Sequence, residues 1–333
     1  MPKHALIVYN PAAGNAIDPS LWLGILTHRL CTEGKYIVST IATEESTAPT
    51  ELLQAISEPF DLLVAAGGDG TVRIALSAVA EKKLDIPVAL VPLGTGNQLA
   101  RNLSIFEENI LSDPLESAIK VMLTGKPRRI DLGVMNGQHF CVAAGVGSMS
   151  DAIVAPDGKD KANWKMLAYA SSMIQAFALP PAVFRLSIEA EQFEVSASGI
   201  FITNVSDLGA GTLSESAQLN DGLLDLCILN PSEFQDYLQL GFHFAGGFIG
   251  GKAPYYIRKV KTLMIEVLPT PSRLSTLQRV GHKIRSIFQS GKILPRKIPR
   301  ELMAMIDGDS YGTTPMHISI EPKAVNVLVP ENY

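Results

Sequence analysis

The chain is 333 residues long, 47% apolar and 18% charged, with a formal net charge of −5. That balance excludes a disordered polymer, and the length argues for two domains rather than one core. Three widely spaced cysteines, Cys31, Cys141 and Cys227, sit among apolar neighbours; they read as core thiols of a reducing compartment and exclude a disulfide framework or a cysteine metal centre.

The opening "MPKHALIVYN" enters a strand at once and lacks the long apolar core and cleavage site of a secretory leader, so a cytoplasmic start is expected. Strand 4–10, helix 17–34, strand 36–43, a short helix 47–57, strand 61–67, a helix from about 70 to 82, strand 87–94 and a helix from about 96 then follow. Near-continuous apolar strands alternating with helices predict an α/β domain whose parallel, doubly wound sheet is covered on both faces.

After "TGKPRR" (124–129) short strands dominate, with a helix expected at about 163–178 and an aromatic, glycine-rich segment at 237–251. Clean alternation in "FRLSIEA" (184–190) marks a half-buried strand, and a mostly antiparallel, β-rich C-terminal domain is expected. The division falls at 1–127 and 128–333. No charge appears between Lys165 and Arg185, but Ser171, Ser172, Gln175 and the Pro180-Pro181 pair argue for a buried or interfacial helix rather than a membrane span.

From Arg258 to Arg300 eleven lysines and arginines stand against Glu266 alone. Such segregation points to an anionic surface. Within it, an insertion at about 269–299 sets Leu274, Leu277, Ile284, Ile287 and Phe288 at roughly helical spacing among Arg279, Lys283 and Arg285. It is either a solvated loop or an interfacial element that seats apolar side chains among lipid head groups and basic ones on their phosphates. Aromatic residues are scarce there beyond Phe288 and the rest of the chain is acidic, which argues against nucleic acid.

Ligands of parallel sheets bind beyond the carboxyl ends of the strands. Three glycine-rich turns fall there: "NPAAGN" (10–15), "GGDGT" (67–71) and "PLGTGN" (92–97). Glycine lets backbone N–H groups approach a ligand closely, and a helix N-terminus adds partial positive charge, so phosphate is the ligand such turns suit. None carries the lysine of a P-loop, and "GGDG" lacks the spacing of a dinucleotide site. Asp69 would repel a phosphate unless a divalent cation lay between them or the carboxylate accepted a nucleotide hydroxyl. Alternatively it is a helix N-cap, contributing about 1 kcal/mol.

In that order, the three turns resemble the catalytic domain of the diacylglycerol kinase and sphingosine kinase superfamily, most nearly its soluble bacterial lipid kinases. The likeness continues through "RRIDLG" (128–133), "FITN" (201–204), "NDGLLDL" (220–226) and "IDGD" (306–309). The resemblance implies ATP and Mg²⁺ as cofactors. It assigns Gly67, Gly68, Asp69, Gly70 and Thr71 to the ATP phosphates and catalytic magnesium, with Thr95, Asn97, Asn10 and Thr43 lining the same nucleotide cleft. It gives a structural magnesium to Asp221, with the carbonyls of Gln218 and Leu223. The base position, a glutamate in the family's "DGE", falls on Asp309, one methylene shorter; read without the resemblance, "DGDSYG" is an ordinary hairpin turn. Where many members have Asn-Glu after "GGDGT-x", this chain has Arg73 and Ile74, and Arg73 reads as an exposed helix arginine or a phosphate neutraliser.

The expectation is a lipid kinase, cytoplasmic and peripheral to the inner face of an anionic membrane, with diacylglycerol the leading acceptor. Asp309 would take the hydroxyl proton, and position and electrostatics would do the rest. An edge strand in either domain offers a homodimer contact. The alternatives are an NAD kinase, which shares "GGDG", and a non-catalytic nucleotide-binding membrane regulator on the same scaffold.

Overall fold

The structure, a computed structural model, describes residues 3–12, 19–43, 51–52, 59–106, 113–147, 181–208, 213–230, 255–268 and 301–333. Most of the expected helix at 47–57, the helix at 163–178, the uncharged stretch as far as 180, the glycine-rich segment at 237–251 and the basic insertion at 269–299 lie outside the described residues.

The first third runs β1 (Lys3–Tyr9), α1 (Pro19–Thr32), β2 (Tyr36–Ala42), β3 (Leu62–Gly67), α2 (Asp69–Glu81), β4 (Pro87–Pro92), α3 (Gln98–Asn102) and α4 (Pro114–Thr124). The four strands are parallel in the order β2-β1-β3-β4. Every residue of β3 is buried, as an apolar run covered on both faces requires. Helix α1 packs Trp22, Leu26 and Leu30 inward at four-residue spacing, and Trp22 meets Tyr9 edge to face at 5.9 Å. Cys31 follows Leu30 and turns off that face, so it is exposed, unlike the core thiols Cys141 and Cys227. Helix α4 starts from Asp113, whose side chain accepts the Leu115 N–H, with Pro114 inside the first turn.

The remainder is β5 (Lys126–Met135), β6 (Gln138–Phe140), β7 (Ala143–Val146), β8 (Ala182–Ile188), β9 (Glu191–Ala197), β10 (Gly199–Thr203), β11 (Leu224–Leu229), β12 (Tyr255–Val260), β13 (Thr262–Leu268), β14 (Met303–Ile306), β15 (Asp309–Thr313) and β16 (Met316–Val329). An antiparallel sheet ordered β12-β11-β10-β7-β14-β15 forms one layer. The other layer is the antiparallel arm of the first sheet, β16-β13-β8-β9. Phe140, Phe184, Ile202, Leu226, Ile265 and Ile306 pack together as the core of this second half. The expected α/β N-terminal domain with a parallel sheet and β-rich antiparallel C-terminal domain is thus the architecture adopted.

Strand β16 joins the halves. Its start pairs antiparallel with β13, its end runs parallel to β4 at Asn326 and Val327, and its whole length lies antiparallel to β5. The β5 ladder slips between Glu321 and Val325. Pro322, which has no N–H to donate, and Lys323, at φ 53°, fall in that slip. The bulge bends β16 so that one strand serves both sheet directions. Among the described residues no helix is long and apolar enough to cross a membrane.

Candidate active site

The second and third glycine-rich turns meet at the carboxyl ends of β3 and β4, beside residues 10–12 at the end of β1. The Asn10 N–H donates to Ala66 O at 3.2 Å while its Oδ1 accepts the Ala12 N–H at 2.8 Å. Thr43, buried just past β2, donates its N–H and Oγ1 to Tyr9 O. Gly94 lies against Gly68 so closely that a Cβ would come within 2.5 Å of the Gly68 Cα; a side chain there would separate the two turns. Thr71 is buried against Gly67. Asn97, at φ 50°, closes the third turn by accepting the Gly94 N–H at 2.9 Å and donating to Gly94 O at 2.7 Å, which leaves Thr95 exposed at the tip.

Asp69 does not cap its own helix: Gly68 is the N-cap of α2, with no side-chain bond. The Asp69 carboxylate instead crosses to the next turn, where Oδ1 accepts the Gln98 N–H at 2.8 Å. Burial pushes its pKa above the usual carboxylate value, against the pull of the Gln98, Leu99 and Asn97 N–H groups and the charge of Arg101. The carboxylate is an oxygen ligand of the kind Mg²⁺ takes, but among the described residues no group of three or more carboxylate, His or Cys side chains surrounds it, so an ion there would draw its other ligands from nucleotide phosphates and water.

The base position arrives from the far end of the chain. Ile306 and Asp309 pair across a two-residue turn in which Asp307 and Gly308 both take positive φ, 48° and 94°. This is the type I′ turn that Asp-Gly favours, so the hairpin reading and the base position describe the same four residues. The turn sets Asp309 against the start of α2, its Oδ2 3.9 Å from where a Cβ on Gly70 would stand. The Asp307 side chain is buried, its carboxylate accepting the N–H groups of Cys141, Val142 and Ala143 at 2.8 to 3.1 Å.

Arg73 ties the two together. Its Nη2 donates to Asp309 Oδ2 at 2.8 Å and its Nε sits 3.9 Å from Asp307 Oδ2, with the side chain only 17% exposed. It is therefore not an exposed helix arginine. Among the described residues nothing is bonded to Asp309 Oδ1, and the side chain is exposed. Gln98, Val142, Ala143, Phe201, Leu208 and Asp307 line a crevice beneath, between the two halves.

Two buried residues inside the quoted motifs organise this junction. Asp131 accepts the Gly222 N–H at 2.7 Å and the Lys323 N–H at 2.6 Å, and Asn204 donates to Asp131 O and Cys141 O. Their motifs were visible in the sequence, but their partners lie 63 or more residues away, so no local pattern announces the role.

The expected structural-magnesium set lies apart from this cleft. The Asp221 carboxylate accepts the Leu223 N–H at 3.0 Å through Oδ1 and is ion-paired to the Lys259 ammonium through Oδ2. A divalent ion on that carboxylate would meet the ammonium at close range, so the residues present do not fit the ion while Lys259 holds this position.

A model of the diacylglycerol kinase catalytic domain matches residues 4–135, and one of the YegS C-terminal NAD kinase beta sandwich-like domain matches residues 141–266. The chain is 30% identical to a diacylglycerol kinase of Bacillus subtilis over 241 residues, 72% of this chain and 77% of that one. It is 28% identical to a diacylglycerol kinase of Staphylococcus saprophyticus, over 71% and 76% of the two chains. A crystal structure of a diacylglycerol kinase from Bacillus anthracis superposes with a TM-score of 0.68 at 18% identity, covering 99% of this chain and 98% of the other, a likeness of fold. With that identity over 72% of its length and a matching catalytic-domain model, this chain belongs to the diacylglycerol kinase family.

Proposed function

We propose that the chain is an ATP- and Mg²⁺-dependent lipid kinase that transfers the γ-phosphoryl group to a lipid hydroxyl, with diacylglycerol as the leading acceptor. Its main support is the Asp307–Gly308 hairpin, which sets the Asp309 carboxylate beside Gly70 at the phosphate-suited start of α2. Gly67, Gly68, Gly70 and Thr71 take the ATP phosphates, Asn10, Thr43, Thr95 and Asn97 line the nucleotide cleft, and Asp69 holds the catalytic Mg²⁺. That ion, when bound with ATP, offsets the charge on the phosphates.

Asp309 then performs the proton step. Arg73 fixes Oδ2 at 2.8 Å, so Oδ1 accepts the proton of the lipid hydroxyl as its oxygen bonds to the γ-phosphorus and the bond from that phosphorus to the β–γ bridging oxygen breaks, ADP leaving with the bond's electron pair.

In this scheme residues 1–127 bind ATP and residues 128–333 bind the lipid, while the basic insertion at about 269–299 draws the protein to the anionic inner face of the membrane from the cytoplasm. The diacylglycerol kinase relatives favour diacylglycerol over phosphatidylglycerol, ceramide, sphingosine or NAD. Transfer of labelled γ-phosphate from Mg-ATP to a panel of those five acceptors, with anionic lipid present, tests it. Label in diacylglycerol alone is expected; label in NAD, or in none with ATP bound, would replace this proposal.

A further inference from the structure

Lys259 lies on β12 directly across from Asp225 on β11 in the antiparallel register. Its ammonium donates to the Ser216 carbonyl at 2.8 Å, is ion-paired to Asp221 Oδ2 and stands 3.8 Å from Asp225 Oδ2. Asp225 is buried; its Oδ1 accepts the hydroxyls of Ser214 at 3.0 Å and Ser216 at 2.6 Å, while its Oδ2 has no hydrogen-bond donor. One ammonium therefore gathers a main-chain carbonyl and two carboxylates, the oxygen chemistry that a divalent cation would need at this loop.

The loop matters beyond itself. Its Gly222 N–H and Leu219 carbonyl are both bonded to Asp131, which also holds the Lys323 N–H in the bulge of β16. Whatever neutralises Asp221 and Asp225 therefore fixes the segment on which the junction of the two halves rests. Left alone, a half-buried and a buried carboxylate close to one another would repel.

We infer that Lys259 serves as the built-in cation of the 213–225 loop, in place of a bound divalent metal, so that this region folds without one. A metal on Asp221 would have to expel the ammonium from all three oxygens. With the lysine removed, the same oxygens face each other uncompensated, and an added divalent ion is the ready replacement. This inference stands whether or not the chain transfers phosphate to a lipid.

The test is thermal unfolding of the full chain, with and without EDTA and with added MgCl₂ or CaCl₂, for the wild type, Asp221→Asn, Lys259→Ala, Lys259→Met and the double variant Lys259→Met with Asp221→Asn. The wild type should melt at the same temperature in EDTA and in metal, and Asp221→Asn should not change the metal content found by elemental analysis. Lys259→Ala should melt lower by about 3 °C or more in EDTA and recover part of the loss with metal. If Lys259→Ala fails to fold in EDTA, the double variant decides: it should be less destabilised than Lys259→Met alone, because the second substitution removes the stranded charge. A wild type that loses several degrees in EDTA and carries one divalent ion abolished by Asp221→Asn would overturn the inference. So would a Lys259→Ala protein indifferent to both substitution and metal.

Discussion

Arg73 Nη2 lies 2.8 Å from Asp309 Oδ2, joining helix α2 to the β14–β15 hairpin across 236 positions of the chain. The same guanidinium approaches the buried Asp307, so one side chain fixes the carboxylate on each side of the turn. An exposed carboxylate at a hairpin tip would otherwise sample several rotamers, and general-base catalysis depends on reach.

Arg73 is therefore expected to act as a positioning residue. Arg73→Ala should lower kcat roughly ten- to a hundredfold while leaving the KM for ATP nearly unchanged, and Arg73→Lys should recover part of the loss. Steady-state kinetics on the three proteins measure this. A rise in KM alone, with kcat intact, would mean that Arg73 serves nucleotide binding instead.

Asp307 gives the fold a pH dependence of definite sign. Burial pushes its pKa up to about 6, against the N–H groups of Cys141 and Val142, the charge of Arg73 and the N–H of Ala143. In the unfolded chain the same carboxyl titrates near 4. The folded state holds the proton over that interval, so this group's stabilisation is complete below about pH 4 and is lost as pH rises through about 6. Asp307→Asn should remove that component, changing the wild-type-minus-variant difference by roughly 1–3 kcal/mol across the window in urea unfolding. Parallel stability curves would show that Asp307 titrates alike in both states.

Asp131 holds two backbone donors, Gly222 and Lys323, from two distant segments. In Asp131→Ala both N–H groups lose their acceptor at a part-buried site, a cost of roughly 1–2 kcal/mol for each. Denaturant titration should show a loss of roughly 2–4 kcal/mol, larger than for any exposed carboxylate such as Glu33. A loss below about 1 kcal/mol would mean that other groups take over those donors.

Much of this was legible in the sequence. The runs at 5–8 in β1, 62–66 in β3 and 88–91 in β4 are apolar because both faces are covered, and that pattern survives without knowledge of partners. The three turns announced a phosphate-suited rim for the same reason: close approach such as that of Gly94 to Gly68 needs glycine. What stayed hidden depends on distant pairing. Nothing local shows that β16 returns to lie beside β4, that Asp69 crosses to Gln98 instead of capping its helix, or that Arg73 has a carboxylate to meet. Cys31 was misjudged because apolar neighbours in sequence need not share a helix face. The eleven basic residues looked like one patch, yet Arg258 and Lys259 are already paired with Glu191 and Asp221.

In the proposed scheme, membrane attraction then falls to the later part of that run. Replacing Arg279, Lys283, Arg285, Lys292, Arg296 and Lys297 by Gln should weaken binding to anionic vesicles at least about tenfold at low salt, with a smaller effect at high salt. Vesicle sedimentation at two ionic strengths measures both. Undiminished binding would identify the insertion as a solvated loop.

The central claim is that Asp309 is the base of a magnesium-dependent transfer from ATP to a lipid hydroxyl. The most direct measurement is the transfer of labelled γ-phosphate from ATP to diacylglycerol in anionic mixed micelles, with and without Mg²⁺, by the wild type and by Asp309→Asn. The account predicts label in the lipid only with magnesium, and a rate about 10²- to 10⁴-fold lower in the variant with the fold unchanged by circular dichroism. Transfer at the wild-type rate by Asp309→Asn would contradict it and require another base.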